Sequence, residues 1–189
     1  MAMKPLPCPT VLRQLLRYEP ETGKMFYRTA PEWMFDDGPK LAANKRCSKW
    51  NKNNAGKLAF STKHPIGYLV GAVFGRKIYA HRAAWAVQHG EWPAAEVDHK
   101  NGCRTDNRLS NLRSVTKAEN TRNKFMSSRN ASGYTGVAWR EDTQKWRAHI
   151  GADGKTLHLG VFETLQDALR ARKAAEAERG FSKRHGTTR

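Results

Sequence analysis

The sequence predicts an α+β fold built from two small domains that follow one another along the chain. Short segments alternate apolar and polar residues and are bounded by turn residues, which is typical of strands in antiparallel sheets. Other segments repeat apolar residues three and four positions apart, which is typical of helices packed on one face. A polar, basic stretch at residues 125–132 separates regions of different pattern, so we interpret it as a linker.

The charge of the chain limits its function class. Of 189 residues, 34 are Lys or Arg and 17 are Asp or Glu, which gives a formal net charge of +17. Such an excess is typical of proteins that bind nucleic acid, because their cationic side chains release counterions condensed on phosphates. Attraction to an anionic membrane is the weaker interpretation, since the basic residues alternate with aromatic ones instead of lying in one amphipathic helix.

The composition also indicates the compartment. No apolar run approaches the roughly 20 residues that a membrane span needs, and the N-terminal residues lack the apolar core of a signal peptide. Cys8, Cys47 and Cys103 are far apart and form no C-x-x-C pair, so neither a disulfide scaffold nor a cysteine-built zinc site is expected. We expect a cytoplasmic protein without membrane contact.

The first region, residues 1–65, is predicted to hold a helix, a hairpin and an irregular segment. Thr10 is the expected helix cap, because apolar residues follow it at helical spacing. Residues 19–23 have turn composition and residues 24–28 form an expected strand. Residues 29–63 contain Pro, Gly and Asn clusters, so we expect irregular structure there and assign it no function.

The second region, residues 66–124, begins with two expected strands at residues 67–74 and 77–80. A helix over residues 81–89 should follow, and Gly90 should end it, since glycine readily adopts the left-handed conformation of a helix C-terminus.

The most informative stretch comes after this helix and predicts strand, polar loop, strand and helix. Asp98 and His99 end the first strand, and residues 112–115 form the second. A Thr-x-x-Glu capping box should start the helix, so that Asn120 lies on its first turns.

These residue types suit the hydrolysis of a phosphodiester bond. That reaction uses a hard divalent cation and a base that deprotonates water. Asp98 and Asn120 offer the oxygen ligands that Mg²⁺ or Mn²⁺ prefers, and histidine, the residue type at position 99, ordinarily titrates near neutral pH, as a base should. Asn111, across the hairpin, could hold the imidazole. The alternatives are an ordinary Asx-type turn and a zinc site from His99 and Cys103, which lacks two further soft ligands.

This stretch resembles the HNH nucleases, in particular the phage homing-endonuclease branch, in which Asn replaces the last His. The likeness covers about residues 66–123 and rests on Asp98-His99, Asn111-Leu112-Arg113 and Asn120. It implies a ββα-metal fold with Asp98 and Asn120 as metal ligands, with His99 as general base and with Asn111 orienting it. Asn123, one helical turn beyond Asn120, is the competing ligand.

Basic residues surround the motif and should attract the phosphate backbone of DNA. The expected contacts are Arg104, Arg108, Arg113 and Arg122. A merely solvated face is the alternative, and Arg108 and Arg113 can also serve the fold.

The third region, residues 133–181, is predicted to form a three-stranded antiparallel sheet covered by one helix. The expected elements are strands at residues 134–139, 145–150 and 155–162 and a helix at residues 165–179. By strand alternation, Leu157 and Leu159 should face the helix. The opposite face should be basic and enter a DNA groove, with contacts from Arg140, Lys145, Arg147 and His149. Residues 182–189 are expected to form a frayed tail.

This region is similar to the APETALA-two (ethylene-response-factor) DNA-binding domain, which also occurs fused to phage HNH nucleases. The likeness rests on Tyr134-x-Gly136-Val137, Lys145-Trp146-Arg147-Ala148, Leu159-Gly160-x-Phe162 and an Ala-rich helix. It implies the fold, but several expected DNA-contact positions differ here, so a target sequence cannot be transferred.

The sequence therefore predicts a metal-dependent endonuclease of homing or mobile-element type, with Mg²⁺ or Mn²⁺ as cofactor and double-stranded DNA as partner. The alternative is a non-catalytic, sequence-specific DNA-binding protein that keeps the nuclease region as a scaffold. RNA cleavage also stays open, because phosphodiester chemistry alone does not select the sugar.

Overall fold

The computed structural model describes residues 5–122, 126, 130, 132–152, 154–182 and 185–187. The chain folds as two compact units, Met1–Ser114 and Val115–Arg189. This division falls upstream of the predicted linker at residues 125–132, most of which lies outside the described residues, as does half of the predicted tail at residues 182–189. Within the described part of the chain, no helix is both long enough and apolar enough to cross a membrane.

Unit 1 combines three helices with short strands. The helices are α1 (Pro9–Leu15), α2 (Ala43–Asn54) and α3 (Ala80–His89). The strands are β1 (Leu16–Glu19), β2 (Lys24–Tyr27), β3 (Leu58–Ala59), β4 (Thr62–Lys63), β5 (Leu69–Val73), β6 (Arg76–Tyr79), β7 (Glu96–His99) and β8 (Leu112–Val115). They form the sheets β1-β2-β3, β4-β5-β6 and β7-β8, of which the first two are antiparallel.

Several local predictions in unit 1 are confirmed. β5 and β6 occupy the predicted hairpin, and α3 ends at Gly90, whose φ is +82°. The prediction for α1 is off by two residues, because Pro9 begins the helix and Cys8, not Thr10, precedes it as the cap. Proline is favourable at this first position because its amide nitrogen needs no hydrogen-bond partner there.

One hydrophobic core joins the first region to the second. Leu12 and Leu15 of α1 are fully buried with Ala83 of α3, and the same cluster contains Val97 and Leu112 of the β7-β8 pair. The predicted boundary between residues 65 and 66 is therefore not a boundary between compact units, because segments on both sides of it supply one core.

The predicted irregular segment, residues 29–63, contains helix α2 and the strands β3 and β4. Its composition gave no helical apolar period because α2 is attached to the core largely through polar groups. Asn51 Oδ1 accepts a hydrogen bond from the Ala30 amide at 2.8 Å, and Asn51 Nδ2 donates to the Ala30 carbonyl at 3.0 Å. Two other residues of α2 also face inward: Cys47 is buried, and Trp50 packs edge-on against Tyr27.

Unit 2 begins with α4 (Lys117–Arg122) and continues into the predicted sheet-and-helix arrangement. Strands β9 (Val137–Arg140), β10 (Lys145–Ala152) and β11 (Lys155–Phe162) form an antiparallel sheet with β10 in the centre, and α5 (Leu165–Glu178) packs on it. Thr164 caps α5, as its side chain accepts a hydrogen bond from the Asp167 amide. Leu159 packs against the core, but Leu157 is 45% exposed, which contradicts its predicted burial.

A polar network is buried beside the sheet of unit 2. Arg172 is 4% exposed and bonds Glu176 Oε1 at 2.9 Å, the His149 carbonyl at 2.6 Å and His185 Nε2 at 3.2 Å. Gly136 makes room for it, since a Cβ there would lie 2.7 Å from Arg172 Nη1. The arginine thus links α5 to the central strand and to the chain beyond the helix.

Candidate active site

The β7-β8 pair positions the Asp-His dipeptide at the end of a strand. Neighbouring strand residues point to opposite faces, so Asp98 and His99 diverge. His99 is 2% exposed, whereas Asp98 is half-buried. A backbone hydrogen bond of 2.8 Å from the Lys100 amide to the Asn111 carbonyl closes the hairpin directly after the dipeptide.

The His99 imidazole lies in an enclosed, mainly aromatic pocket. Its Nε2 lies 3.1 Å from Asn107 Oδ1. The rings of His81 and Tyr68 pack against it with centroids at 5.2 and 5.8 Å. Burial lowers the pKa of His99, while the hydrogen bond to Asn107 and the charge of Asp98 oppose that shift. The ring is therefore held in place and favours its neutral form.

Asn107, and not Asn111, is the asparagine that contacts the imidazole. Asn111 Oδ1 accepts a hydrogen bond from the Asn101 amide at 3.0 Å, and Asn111 Nδ2 donates to the Asp106 carbonyl at 2.7 Å. This corrects the predicted orienting role of Asn111, because both ends of its side chain bind loop backbone. Through these two hydrogen bonds Asn111 stabilises the loop that carries Asn107.

A salt bridge stabilises the same loop. Arg108 Nε and Nη2 bond the two oxygens of Asp106 at 2.8 and 2.7 Å, and Asn101 donates to Asp106 at 2.7 Å. The contact with Arg108 is the main reason that the pKa of Asp106 is lowered to about 2. Arg108 is thus a loop-bracing residue in this structure.

The hairpin of β1 and β2 contacts the loop that carries Asn107, and the sequence did not predict this contact. Tyr18 Oη donates to the Asn107 carbonyl at 2.7 Å, and the Leu109 amide donates to the Pro20 carbonyl at 2.9 Å. At Gly23 the two segments touch so closely that a Cβ would lie 2.5 Å from the Arg108 nitrogen. The turn composition of residues 19–23 was the available signal, but it gave no indication of this contact.

The predicted metal ligands fall in different units. Asp98 belongs to unit 1, where its Oδ2 accepts hydrogen bonds from Arg113 Nε at 3.1 Å and from Arg113 Nη2 at 2.9 Å. Asn120 lies in α4 of unit 2. The predicted capping box of α4 is confirmed, since Thr116 and Glu119 exchange hydrogen bonds. The pairing of Asp98 with Asn120 stays a prediction, and Asn123 lies outside the described residues.

The predicted DNA-contact arginines of unit 1 each have an intramolecular partner. Arg104 donates to the Ile66 carbonyl at 2.5 Å and lies over the ring of Tyr68 at 5.0 Å. Arg108 and Arg113 pair with acidic side chains, as described above. In unit 2, the backbone carbonyl of Arg122 accepts a hydrogen bond from the Ser182 amide. Their contacts with DNA stay predictions.

A second histidine is buried beside His99. His81 is 7% exposed and, within the described part of the chain, its Nδ1 has no hydrogen-bond partner. Burial, followed by the neighbouring charges of His99 and Arg82, lowers the pKa of His81 to about 3. His81 is therefore a neutral ring that packs against the candidate base.

The exposed face of the unit 2 sheet has the predicted alternation. In the register of β10 with β11, Arg147 lies opposite Val161 and His149 opposite His158. A cleft of about 430 Å³ on this face is lined by Arg140, Thr143, Arg147, His149, Thr156, His158 and Val161. Two of the predicted contacts are ion-paired within the chain: Lys145 with Glu163 at 2.7 Å, and Arg140 with Asp142.

Comparison with known proteins gives the class of the central segment. Residues 78–122 match the family model described as HNH endonuclease, and this range contains the buried histidine and its loop. Protein 3.8 of Escherichia phage T7 is 32% identical to this chain over 76 residues, which are 40% of this chain and 63% of that protein. The chain thus spans less than two thirds of that relative's length. No solved structure matches the chain.

Proposed function

We propose that this protein is a metal-dependent endonuclease that hydrolyses phosphodiester bonds in double-stranded DNA, with His99 as the general base. The observation that carries the proposal is the histidine itself: it is buried, bonded to Asn107 and located inside the segment that matches the HNH endonucleases. The phage relative supports an origin in a phage or mobile element. A homing-type role is part of this proposal.

The contacts of His99 support Nδ1 as the nitrogen that acts as the base. Asn107 Oδ1 is an acceptor, and Asn107 Nδ2 points to the Thr105 carbonyl at 3.5 Å, which is consistent with this orientation of the amide. His99 Nε2 therefore carries the proton, and Nδ1 has the lone pair that takes a proton from water. When Nδ1 is protonated, the positive charge is shared with Nε2–H, whose hydrogen bond to Asn107 then strengthens.

The predicted ligand set fits a hard cation. Asp98 and Asn120 offer only oxygen donors, which suits Mg²⁺ or Mn²⁺ better than zinc. Among the described residues, no three His, Cys, Asp or Glu side chains form a group that could hold a metal. A bound cation would stabilise negative charge on the phosphate and on the leaving oxygen. Arg113 holds Asp98 Oδ2, so it fixes the carboxylate whose orientation this function requires.

The sheet of unit 2 is proposed to supply additional DNA binding. Arg147 and His149 lie on its outer face with Thr156 and His158, a set of donors that can contact phosphates and base edges. Replacing Arg147 with Ala should weaken duplex binding without removing cleavage. Loss of cleavage at saturating protein would contradict this division of roles.

Plasmid cleavage tests the catalytic proposal. Supercoiled DNA is incubated with the wild type and with His99→Ala, in Mg²⁺ or Mn²⁺ with and without a chelator. The variant should be slower by roughly 10²–10⁴-fold, as is usual when a general base is lost. His89→Ala is the matched control, because His89 is an exposed histidine of α3 in the same unit. Equal cutting by His99→Ala and the control would refute the role of His99, and binding without cutting would favour the non-catalytic alternative.

A further inference from the structure

Helix α2 has a strongly basic outer face to which no function has been assigned. Its twelve residues contain no Asp or Glu. Six exposed side chains cover one side of the helix, and we call this surface the α2 basic face: Asn44, Lys45, Ser48, Lys49, Lys52 and Asn53. Among the described residues, Lys45, Lys49 and Lys52 form no ion pair, so their charges are not neutralised within the chain.

The opposite side of α2 is firmly attached to unit 1. The Asn51 amide exchanges two hydrogen bonds with the Ala30 backbone, and Cys47 is buried. Trp50 packs against Tyr27 and Phe35. Asp37 accepts a hydrogen bond from the Ala43 amide at the helix start, and among the described residues neither Asp36 nor Asp37 forms an ion pair with the three lysines. The α2 basic face is therefore presented on a fixed support.

We propose that the α2 basic face binds double-stranded DNA in the major groove. The inference rests in part on the proposed nuclease function, which supplies the same partner. A helix of twelve residues is about 18 Å long, and the major groove, about 12 Å wide, admits an α-helix. The lysines match the phosphates in charge, while Ser48 and Asn53 carry groups that can donate to or accept from base edges.

The neighbouring surface distinguishes this partner from two others. An anionic membrane would require an apolar helix face turned outward, whereas the only large apolar side chain of α2, Trp50, packs against the core of unit 1. A single strand could stack bases in the cleft of about 800 Å³ next to α2, which includes Phe35, Trp50 and Phe74. The continuous charge of the helix favours the duplex, and the single strand becomes an outcome of the test.

Binding by the full-length chain, measured by fluorescence anisotropy in a chelator so that no cutting occurs, tests the proposal. The probe is a labelled 30-base-pair duplex (about three helical turns) of random sequence. The variant Lys45→Ala/Lys49→Ala/Lys52→Ala should lower the slope of log affinity against log salt by about 3, and lower affinity near 0.1 M salt on the order of 10²-fold. Alanine favours helix, so α2 should stay folded.

The matched control removes the same charge elsewhere in unit 1, with the exposed lysines of β2, β4 and β6: Lys24→Ala/Lys63→Ala/Lys77→Ala. Its salt slope should fall by less than about 1. A second variant, Ser48→Ala/Asn53→Ala, should keep the wild-type slope but select different duplexes from a randomised pool.

Three results would overturn the inference. They are equal slope losses in the α2 and control variants, stronger competition by single-stranded than by double-stranded DNA, and binding to anionic vesicles that the α2 variant abolishes. The outcome is separable from the nuclease proposal, because His99→Ala should retain the wild-type salt slope. An inactive protein whose duplex binding depends on α2 would refute catalysis and support this inference.

Discussion

Replacing Gly23 with Ala should damage the candidate active site from outside the motif. Gly23 has a φ of +72°, and a Cβ there would lie 2.5 Å from both the Arg108 nitrogen and the Asn107 carbonyl carbon. These are backbone atoms, so no side-chain rotation can relieve the overlap. Ordinary van der Waals contact begins at 3.4 Å, which means that the loop or the hairpin must move by several tenths of an ångström or more.

The displaced segment is the loop that contacts His99, the proposed base. Asn107 bonds His99 Nε2 at 3.1 Å, and its carbonyl accepts from Tyr18. A misplacement of about 1 Å at a catalytic group can cost 10²-fold in rate, so we expect the cleavage rate to fall by about that factor. The free energy of unfolding should also fall, by about 1 kcal/mol from the positive φ and by about 1–3 kcal/mol from the overlap.

Gly56→Ala separates these two causes. Gly56 also lies in unit 1 and has a φ of +77°, but nothing lies within 4 Å of a Cβ built there. It should therefore lose about 1 kcal/mol of stability and keep the wild-type cleavage rate. The rates are compared in the plasmid assay at a temperature at which urea titration shows all three proteins folded. If Gly23→Ala cuts as fast as Gly56→Ala, the hairpin does not position the base.

Three further predictions follow from the buried polar groups. Asn107→Ala should lower the cleavage rate about tenfold or more. It should also move the acidic limb of the pH–rate profile to lower pH, because the hydrogen bond to Asn107 raises the pKa of His99 and its loss therefore lowers that pKa. An unmoved limb would contradict that contact. His81 has a folded pKa of about 3, below the unfolded value of 6.5, so its contribution to stability is complete above pH 6.5 and is lost as the pH falls. Urea unfolding between pH 7 and pH 5 should show a loss of up to about 1.4 kcal/mol per pH unit that His81→Gln removes, and an unchanged loss would refute this. Arg172→Ala should cost about 3–5 kcal/mol in unit 2, because Glu176 then loses its buried partner and, among the described residues, keeps only the ion pair with Lys173 at 3.3 Å. Recovery by Arg172→Met/Glu176→Leu in thermal unfolding would separate this charge effect from lost packing.

The elements that the sequence predicted well are those whose signals are local. The hairpin of β5 and β6, the glycine that ends α3 and the capping boxes of α4 and α5 depend on residues within a few positions of one another. The alternation along β10 was equally readable, because the helix covers one face of the sheet. Leu157 was mispredicted, because alternation predicts which face of the sheet a side chain lies on but not how far helix α5 extends over that face. Leu157 pairs with the buried Ile150 but lies two residues from the start of β11 and is exposed.

The residues that the sequence could not resolve depend on tertiary contacts. Asn107 and Asn111 are both turn-forming residues in one polar loop, and only the folded loop shows which side chain meets the imidazole. Helix α2 was missed because Asn51 attaches it by hydrogen bonds, which leave no apolar period to detect. The contact at Gly23 joins residues more than 80 positions apart, so no pattern within a window could contain it.

These same contacts indicate that the segment matching the HNH family model is not an independent module. The match to the family model begins at residue 78, but the loop that holds Asn107 is bonded to Tyr18 and Pro20. Leu12 and Leu15 are fully buried in the core that contains α3 and the β7-β8 pair, so removing the first region would expose that core to water. The geometry of the proposed base thus depends on the N-terminal hairpin, and variation there should alter the proposed activity even though the motif itself is unchanged.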